Sequence, residues 1–571
     1  MRPSGTALRA ALLFAAVAGT SGCGRSEPAE LVIRNARVYT VEAAQPWAEA
    51  VGVRGERIAF VGSDREAERF VSEATRVIDA GGRLLLPGFI ESHNHVRFGA
   101  DPDILSLFGA RSLAELLSRV REFAEVKPEL PWIEGEGWNY SAMPDGRLPR
   151  AADLEGLTGG RPALLMAYDA HTAWLNREAL RALGINRATE RVPFAKQVEK
   201  DPQTGEPTGI LKGLSTLALG GGGEAELARH LPSHSAERRQ RRLLDSLASA
   251  IRFGITTLVE PQASIQDLDS FVEARERGDL RSRLQVALFH PPGLTEAELA
   301  RFEAAGRRFD DDRLRVSAVK LYIDDVIEAH TAAMLEPYAD LPGESGSTLY
   351  PPEEFGALVT ALDRRGLQIF IHAIGDRGVR TALDALEAAR RENGPRDSRH
   401  QLVHIETISP QDLPRFQALG VVACMQPRHS APDLSARWAA AVGPERSKHA
   451  FAWRSLREAG ATLAFASDWN VAEMDPLVGI YTALTRKGLD GRPDGGWIPQ
   501  QTVGLETALR AYTLDGAWAN FVEADRGSIA PGKYADLVLL SDDLFEIPPE
   551  KIKEARVVLT LIGGQEAHRA F

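Results

Sequence analysis

Two histidines one residue apart, His93 and His95, are the first residues in the chain whose types and spacing could do chemistry. They close the segment LPGFIESHNH, whose apolar run from Leu84 to Ile90 predicts a buried strand. Side chains at positions i and i+2 of an extended chain point to the same side, so both imidazoles can bind one Zn²⁺ or a similar ion. Two exposed loop histidines are the alternative, because such a pair arises easily by chance in a chain with 13 histidines.

Four further polar side chains each stand at the carboxyl end of a short apolar run: Lys320, His372, His404 and Asp468. Taken singly, they are explained by a snorkelling surface lysine, two hydrogen-bonded core histidines and a helix N-cap. Taken together, they predict that several strands bring potential metal ligands to one rim of a sheet.

The elements that must position these residues are eight apolar runs suited to buried parallel strands, with intervals that can hold helices. This alternation predicts an α/β protein built as a (β/α)₈ TIM barrel with right-handed crossovers. The candidate ligands follow runs one, four, five, six and eight. The runs are Leu84 to Ile90, Thr256 to Glu260, Leu284 to Phe289, Val316 to Tyr322, Leu367 to Ile371, Gln401 to His404, Val421 to Gln426 and Thr462 to Ala466.

Both ends of the chain carry short strand-like segments separated by turns. We expect residues 31–82 and 525–571 to form a small β-sandwich beside the barrel, which would occupy residues 83–524. Residues 96–255 are far too long for a simple connection and predict an inserted subdomain.

An insertion on the catalytic rim usually shapes the pocket, so several of its side chains are candidate substrate contacts. Two of them, His171 and Trp174, stand at helical spacing and can equally be core residues. Outside the insertion, His330 follows Lys320, and Arg486 can bind an acidic substrate group. The complete set is Trp138, Asp169, His171, Trp174, His330 and Arg486.

Composition argues against a nucleic-acid partner. The chain has 571 residues, 44% of them hydrophobic and 26% charged, and its formal net charge is −12. Nucleic-acid binding relies on clustered Lys and Arg, whereas the one basic stretch, Arg238 to Arg242, is expected to be a solvated helix face. A soluble enzyme acting on a small molecule fits this composition, and a homo-oligomer remains open.

The N-terminus predicts export. Residues 1–22 have the pattern of a signal peptide, with an apolar stretch, Ala10 to Ala18, too short to span a bilayer. The sequence Thr20-Ser21-Gly22-Cys23 resembles a bacterial lipobox, so Cys23 is a candidate for lipidation and residues 23–30 for a tether. An ordinary cleaved signal is the alternative. The other cysteine, Cys424, lies in an apolar run and is expected to be a core thiol without a disulfide partner.

The chain resembles the amidohydrolase superfamily, and within it the group typified by formamide deformylases. The resemblance covers nearly the whole chain and is carried by PGFIESHNH, VKLYIDD, HAIGDRG, QLVHIE, ASDWNVAEMDP and RGSIAPGKYADLVLL. It implies two divalent metal ions, most simply zinc. One would be bound by His93, His95 and Asp468, and the other by His372 and His404. Lys320, carboxylated by CO₂, would bridge them.

The resemblance also implies the reaction, which is hydrolysis of a non-peptide C–N bond (amide, N-formyl or N-acyl) of a small molecule. Asp468 would be both a metal ligand and the base, and it would pass its proton to the leaving nitrogen. Glu406 and Asp376 are candidates for orienting the imidazoles, or are surface groups. Two alternatives stay open: a deaminase of a small heterocycle with one metal ion, against which Lys320 argues, and an inactive surface lipoprotein that only binds a ligand.

Overall fold

The computed structural model describes residues 27–144, 147–214, 229–231 and 235–570, with the backbone alone for residues 433–436. The expected signal peptide, residues 1–22, and Cys23 lie outside these residues. Ala29 and Glu30, assigned to the tether by sequence, already belong to the folded domain, since their N–H groups donate to Phe70 O and Val53 O. None of the helices in the described part of the chain is both long and apolar enough to cross a membrane.

Eight parallel strands form the barrel that the sequence predicts, and each neighbours the next in chain order. The first and last strands meet where Ser92 N–H donates to Phe465 O at 3.5 Å. Nearly every strand residue is buried, because barrel strands are covered on both faces, and this explains their continuous apolar runs. The strands are β1 Phe89–Glu91, β2 Ile255–Ala263, β3 Arg283–Phe289, β4 Leu314–Tyr322, β5 Gln368–Ala373, β6 Gln401–His404, β7 Val422–Met425 and β8 Thr462–Phe465.

The first apolar run is not one strand, which corrects the predicted boundary at residue 83. Leu84–Pro87 pairs with strands of the β-sandwich, and the chain then passes into the barrel as β1. The break falls at Gly88, where a Cβ atom would lie 2.2 Å from Oγ1 of Thr256. Only glycine lets the chain pass between the two sheets at this point.

Helices cover the outside of the barrel. They bury their apolar faces against the strands in one large core. They are Ala236–Arg252, Asp267–Glu276, Glu296–Arg308, Pro352–Arg364, Asp376–Asn393, Leu413–Leu419, Trp453–Glu458, Leu505–Ala511 and Leu514–Ala519. Further helices at the carboxyl end of the barrel are Pro432–Val442, Pro444–Ser447 and Pro476–Thr485.

The two ends of the chain form the predicted sandwich of two sheets around their own apolar core. One sheet has the strand order Arg57–Gly62, Ala50–Arg54, Leu31–Arg34 and Arg76–Asp79. The other has the order Gln565–Arg569, Val557–Ile562, Leu537–Leu540, Leu84–Pro87, Arg37–Tyr39 and Trp47–Ala48. The C-terminal strands therefore pair directly with an N-terminal one.

The insertion has a separate six-stranded sheet, flanked by helices Leu113–Val126 and Arg177–Ala182. Two apolar clusters of its own pack against this sheet. The strand order is Gln197–Lys200, Pro207–Lys212, Thr172–Leu175, Ala163–Ala167, Ile133–Trp138 and Leu105–Ser106.

The basic stretch on helix Ala236–Arg252 is only in part the solvated helix face that the sequence predicts, because Arg241 is exposed and two other arginines are not. Arg238 and Arg242 are both buried. Arg238 Nε donates to Asp101 at 2.8 Å, and Arg242 lies 3.2 Å from Glu136. The guanidinium groups are buried because carboxylates of the insertion neutralise them, which sequence periodicity does not reveal.

Candidate metal centre

The carboxyl ends of five barrel strands bring the six predicted ligands to one place. His93 and His95 follow β1 and Asp468 follows β8, whereas the other three lie at the carboxyl ends of β4, β5 and β6, and each ligand is at most 9% exposed. Parallel strands end at the same rim, which is why residues almost four hundred positions apart can meet. His404 and Asp468 have φ angles of 77° and 59°, in the left-handed region that non-glycine residues seldom adopt. Such backbone conformations are typical of functional sites.

Asp468 lies at the centre of the cluster. Its Oδ1 is 3.1 Å from His95 Nε2 and 3.4 Å from His93 Nε2. Its Oδ2 is 3.8 Å from His404 Nδ1. One potential ligand atom from each of His93, His404 and Asp468 lies within 4.8 Å of the others. His372 adjoins this group, with its ring centroid 4.6 Å from that of His404.

The protonation of most of the cluster suits metal binding. His95 is the exception, because burial would lower its pKa but hydrogen bonds and charges of Asp468 and Glu260 outweigh burial and raise it. Burial, reinforced by neighbouring cationic groups, holds the pKa values of His93, His372 and His404 well below their usual range, so their imidazoles are neutral. Burial would raise the pKa of Asp468, but the surrounding imidazoles outweigh it and hold that pKa well below its usual range. Neutral imidazole and ionised carboxylate are the forms that bind metals.

Hydrogen bonds fix the tautomers of two of these histidines. His404 Nδ1 lies 2.9 Å from Oε1 of Gln426, and His372 Nε2 lies 3.3 Å from the carbonyl oxygen of Asp325. A carbonyl oxygen only accepts, so both ring nitrogens must donate. The opposite nitrogen of each ring then carries a free lone pair, as a metal ligand requires.

Lys320 is fully buried, and its Nζ has no hydrogen-bond partner among the described residues. Burial lowers the pKa of this amine to about 8, against the attraction of Asp468. The Nζ atom lies 4.8 Å from the centroid of the Tyr322 ring. A buried lysine of this kind is seldom tolerated without a function.

The residues present fit a metal centre. A buried polar atom without a partner destabilises a protein, so several at one point indicate a missing ligand. Within the described part of the chain, the buried atoms at this rim that make no well-aligned hydrogen bond include Nδ1 and Nε2 of His93, Nζ of Lys320 and Oδ1 of Asp468, although Oδ1 lies 3.1 Å from Nε2 of His95. Imidazole, carboxylate and a carboxylated amine form a donor set for zinc and related ions.

A cavity of about 660 Å³, partly open to solvent, adjoins the cluster. Of the predicted substrate contacts, Asp169 and His171 line it. His171 Nδ1 pairs with Asp325, and Asp169 accepts from the hydroxyl of Tyr140 at 2.7 Å. The lining residues are His95, Phe98, Tyr168, Asp169, Ala170, His171, Gln262, Tyr322, Val326, Glu328, His372, Ile374, His404, Glu406, His429, Asp468, Asn470 and Val471.

The other predicted substrate contacts do not line this cavity. Trp138 and Trp174 are fully buried, and their indole N–H groups donate to Leu165 O and Arg150 O. His330 lies outside the lining, with its Nε2 2.9 Å from Asp340.

Arg486 is also outside the cavity. Its guanidinium is fully buried, donates to the carbonyl oxygens of Ala450, Phe451 and Trp497, and lies over the ring of Trp453. The guanidinium N–H groups that the sequence predicts to bind an acidic substrate group are therefore already hydrogen-bonded to backbone carbonyl oxygens.

The two residues predicted to orient the imidazoles differ in position. Glu406 lines the cavity and lies 3.7 Å from Nδ1 of His429. Asp376 accepts from the backbone N–H groups of Leu335 and Arg377 and is not among the described residues that line the cavity.

Sequence reasoning missed His429, whose Nε2 lies 3.7 Å from Oδ2 of Asp468. It follows β7 by four positions, so the rule that found the other histidines at strand ends, extended by a few residues, would have found it. Glu328 and Tyr168, which also line the cavity, come from loops that carry no periodic signal.

This chain is similar to several known proteins along most of its length. A family model described as "Amidohydrolase family" matches residues 76–568. Protein LONG AFTER FAR-RED 3 of Arabidopsis thaliana is 29% identical over 95% of this chain and 92% of its own length. An N-substituted formamide deformylase of Arthrobacter pascens is 26% identical over 94% of this chain and 97% of its own length.

Among solved structures, an uncharacterized metal-dependent hydrolase from Pyrococcus horikoshii OT3 superimposes with a TM-score of 0.71 at 22% identity. The match covers 91% of this chain and 99% of that one. It shows that the two chains share their fold.

Proposed function

The chain belongs to the amidohydrolase family, and from this membership we propose that it hydrolyses a non-peptide C–N bond, of amide, N-formyl or N-acyl type, in a small molecule. The observation that carries the proposal is the convergence of buried, unpartnered imidazole, carboxylate and amine groups beside a cavity. The similarity to a formamide deformylase supports the type of bond.

We assign the metal ligands as follows. His93, His95 and Asp468 would hold one divalent ion and His372 and His404 the other, and Lys320, as a carbamate, would be a ligand common to both. The carbamate forms when the neutral Nζ attacks the carbon of CO₂ and releases one proton. The lowered pKa of Lys320, about 8, supports this step, because a larger share of the amine is then unprotonated at neutral pH. Divalent ions bound here supply Lewis-acid activation of water and of the amide carbonyl.

Asp468 is the residue that moves the proton. Its carboxylate stays ionised at neutral pH and lies at the junction of the ligands and the cavity. It would accept a proton from the water that attacks the carbonyl carbon and donate it to the nitrogen as the C–N bond breaks, since an amide anion is a poor leaving group. The walls of the cavity orient the substrate, with Asp169 and His171 as its polar contacts.

A deaminase with one metal ion is the second candidate. It is favoured by the close approach of His93, His404 and Asp468, a three-ligand group drawn from both proposed metal sites and the one such group among the described residues. Such an enzyme would release ammonia from a small heterocycle and would not need a carboxylated Lys320.

One experiment separates these functions. The full chain, loaded with zinc, is incubated with a panel of N-formyl and N-acyl amines and with aminated heterocycles, and the products are identified by mass spectrometry. We expect an amine and an acid from the amides, and no detectable turnover in Lys320→Ala. Lys551→Ala, at an exposed lysine paired with Glu554, is the matched control and retains activity. Ammonia release from heterocycles alone would favour the deaminase, and no product from the metal-loaded chain would contradict both.

We also propose that the chain is exported and anchored to a membrane through lipidated Cys23, and that its partner is a small molecule. The support is the sequence of residues 1–23. Expression in a bacterium with labelled fatty acid should label the wild-type chain and leave Cys23→Ser unlabelled. Equal labelling of both would contradict the anchor.

A further inference from the structure

Three buried carboxyl groups gather around the hydroxyl of Tyr168. We call Asp169, Glu328 and Glu406 the acidic wall of the cavity, because all three line it. Each is at most 9% exposed. Tyr168 donates to Oε1 of Glu328 at 2.9 Å. Burial is the largest cause that raises the pKa of Tyr168 above its usual range, and the charges of all three carboxylates raise it further.

The recorded donors to the acidic wall are neutral. Asp169 accepts from the N–H of His171 and the hydroxyl of Tyr140, and Glu406 accepts from Nε1 of Trp438 at 2.8 Å. Within the described part of the chain, no lysine or arginine side chain forms an ion pair with any of the three carboxylates. The nearest ionisable nitrogen recorded is Nδ1 of His429, 3.7 Å from Glu406. Two cationic groups lie nearby: Nε of Arg437 donates to the carbonyl oxygen of Glu328 at 2.7 Å, and Asp325 and Asp169 raise the pKa of His171 against its burial. His171 pairs with Asp325, and among the described residues neither cation forms an ion pair with a carboxylate of the wall.

Such an arrangement destabilises the protein unless something neutralises it. Burial, with the nearby charges of Glu406 and Asp169, raises the pKa of Glu328 well above its usual range. Two carboxylates held close together in a low dielectric cannot both ionise freely. A cation placed between them would restore both charges and gain a short, desolvated ion pair.

His429 links this wall to the metal ligands. Its side chain is 9% exposed, and its Nε2 has no hydrogen-bond partner among the described residues. One ring nitrogen faces Asp468 and the other faces Glu406, each at 3.7 Å. A single imidazole therefore separates the proposed reacting end of the cavity from the acidic wall, and the unpartnered Nε2 indicates that a ligand with polar groups completes this space.

Aromatic rings line the same cavity, among them Phe98, Tyr168 and Tyr322. Ring faces attract cations that have lost part of their hydration shell. Rings and carboxylates together are the surroundings in which proteins bind amines and quaternary ammonium groups.

We propose that the acidic wall binds a cationic nitrogen of the substrate, so that the chain acts on N-acyl or N-formyl compounds whose remaining part carries a second, protonated amine. This inference rests on the proposed function for the reaction. The cation site itself does not depend on which bond is cleaved.

Substrate pairs that differ only in charge test the substrate class. N-formyl-1,3-diaminopropane is compared with N-formylbutylamine, in which a methyl group replaces the ammonium group, and the diamine series is repeated with two and four methylenes. We expect the ratio of kcat/KM, cationic over neutral, to exceed ten for the best length. The ratio should fall at least tenfold in Glu328→Gln and in Glu406→Gln. Glu129→Gln, at an exposed position, removes the same charge and should leave the ratio unchanged.

A binding measurement tests the cation site without turnover. Choline and its neutral isostere 3,3-dimethylbutan-1-ol are titrated into the zinc-loaded full chain by calorimetry at pH 7. The quaternary nitrogen of choline has no lone pair to offer a metal. We expect choline to bind at least tenfold more tightly, and this preference to be lost in Glu328→Gln.

The two measurements separate the two proposals. If no amide is hydrolysed but choline is still preferred, the proposed function fails and the cation site stands. Equal binding of choline and its isostere, binding of neither, or kcat/KM ratios near one would overturn the inference. The acidic wall would then be a structural group of carboxyls that share protons.

Discussion

Two histidine–carboxylate clusters lie at opposite ends of the barrel, and they differ in how fully their polar atoms are paired. At the amino end, just before β6, His400 Nδ1 accepts from the N–H of Ile369 at 3.1 Å, and its Nε2 lies 3.1 Å from Asp363. Asp363 also accepts from Arg396 and Asn393. At the carboxyl end of the same strand, His404 belongs to a group whose members have several unpartnered buried atoms.

The difference separates a structural histidine from a ligand. Both clusters are buried, and the two histidines are four residues apart, so burial and residue type alone do not distinguish them. Hydrogen-bond pairing does distinguish them, because the donors and acceptors of the amino-end cluster pair with one another, whereas those of the carboxyl-end cluster need an ion as their partner. The comparison therefore predicts that changes at the carboxyl end abolish activity and that changes at the amino end lower stability.

The largest expected effect is that of Asp468→Asn. Removing a metal ligand that is also the proposed base should lower kcat/KM for amide hydrolysis by a factor of about 10³ or more. The midpoint of thermal unfolding of the metal-free protein should also fall, because Oδ1 lies 3.1 Å from Nε2 of His95 and the lowered pKa of Asp468 means that its carboxylate stabilises the folded state. Steady-state kinetics and calorimetry measure the two. Activity within tenfold of wild type would contradict the assignment.

The amino-end counterpart, Asp363→Asn, should lower stability by about 2–4 kcal/mol at pH 7, because it breaks a buried network of charged hydrogen bonds. Burial would raise the pKa of Asp363, but donors from His400, Asn393 and Arg396 outweigh it and hold the pKa well below its usual range.

That lowered pKa sets the pH dependence of the same variant. A carboxylate whose pKa is lower in the folded than in the unfolded state stabilises the protein at pH values above its unfolded-state pKa, about 4. This contribution is lost as the pH falls toward the folded-state pKa. The difference in thermal midpoint between wild type and Asp363→Asn should therefore narrow between pH 7 and pH 3. A difference of constant size would show that the charge of Asp363 is not what stabilises this end.

Removing the metal ion tests the same difference between the two clusters. An ion that binds only the folded chain stabilises it by about 2.7 kcal/mol when present at a hundred times its Kd. Chelation should lower the thermal midpoint of wild type and Asp363→Asn alike, and added zinc should restore both. Asp468→Asn should respond weakly. An unchanged midpoint in chelated wild-type protein would contradict metal binding at the carboxyl end.

The smallest effect is expected for Glu260→Gln. The fully buried Glu260 lies 3.7 Å from Nδ1 of His95, and so favours the proton on that nitrogen and leaves Nε2 for the metal. Loss of such a partner typically weakens metal affinity by about 10–100-fold. Competition with a chromogenic chelator measures the affinity. Glu276→Gln, at an exposed helix end, is the control, and equal affinities of the two variants would exclude this role for Glu260.

Much of this architecture could be predicted from the sequence. Barrel strands are covered on both faces, so they appear as continuous apolar runs, and all eight were recognisable. The passage from one sheet to another at Gly88 was not, because hydrophobicity stays high while the pairing partners change. The structural role of Arg486 is not predictable either, since the backbone carbonyl oxygens that accept its hydrogen bonds come from distant residues.

Within the site, the six ligand candidates were predictable because each lies at the carboxyl end of an apolar run. The acidic wall was not, because Glu328 and Tyr168 lie on loops that only the folded barrel brings together. Residue types and strand ends can be read from a sequence, whereas only the folded structure shows whether buried carboxylates are paired with a cation.

The metal content of the purified chain tests the central claim most directly. Wild type, Lys320→Ala and Asp363→Asn are loaded with zinc, freed of excess metal by gel filtration and measured by plasma mass spectrometry. We predict two ions per chain in wild type and in Asp363→Asn, and at most one in Lys320→Ala. Equal metal content in Lys320→Ala and wild type, or loss of metal from Asp363→Asn alone, would contradict a metal centre at the carboxyl end of the barrel.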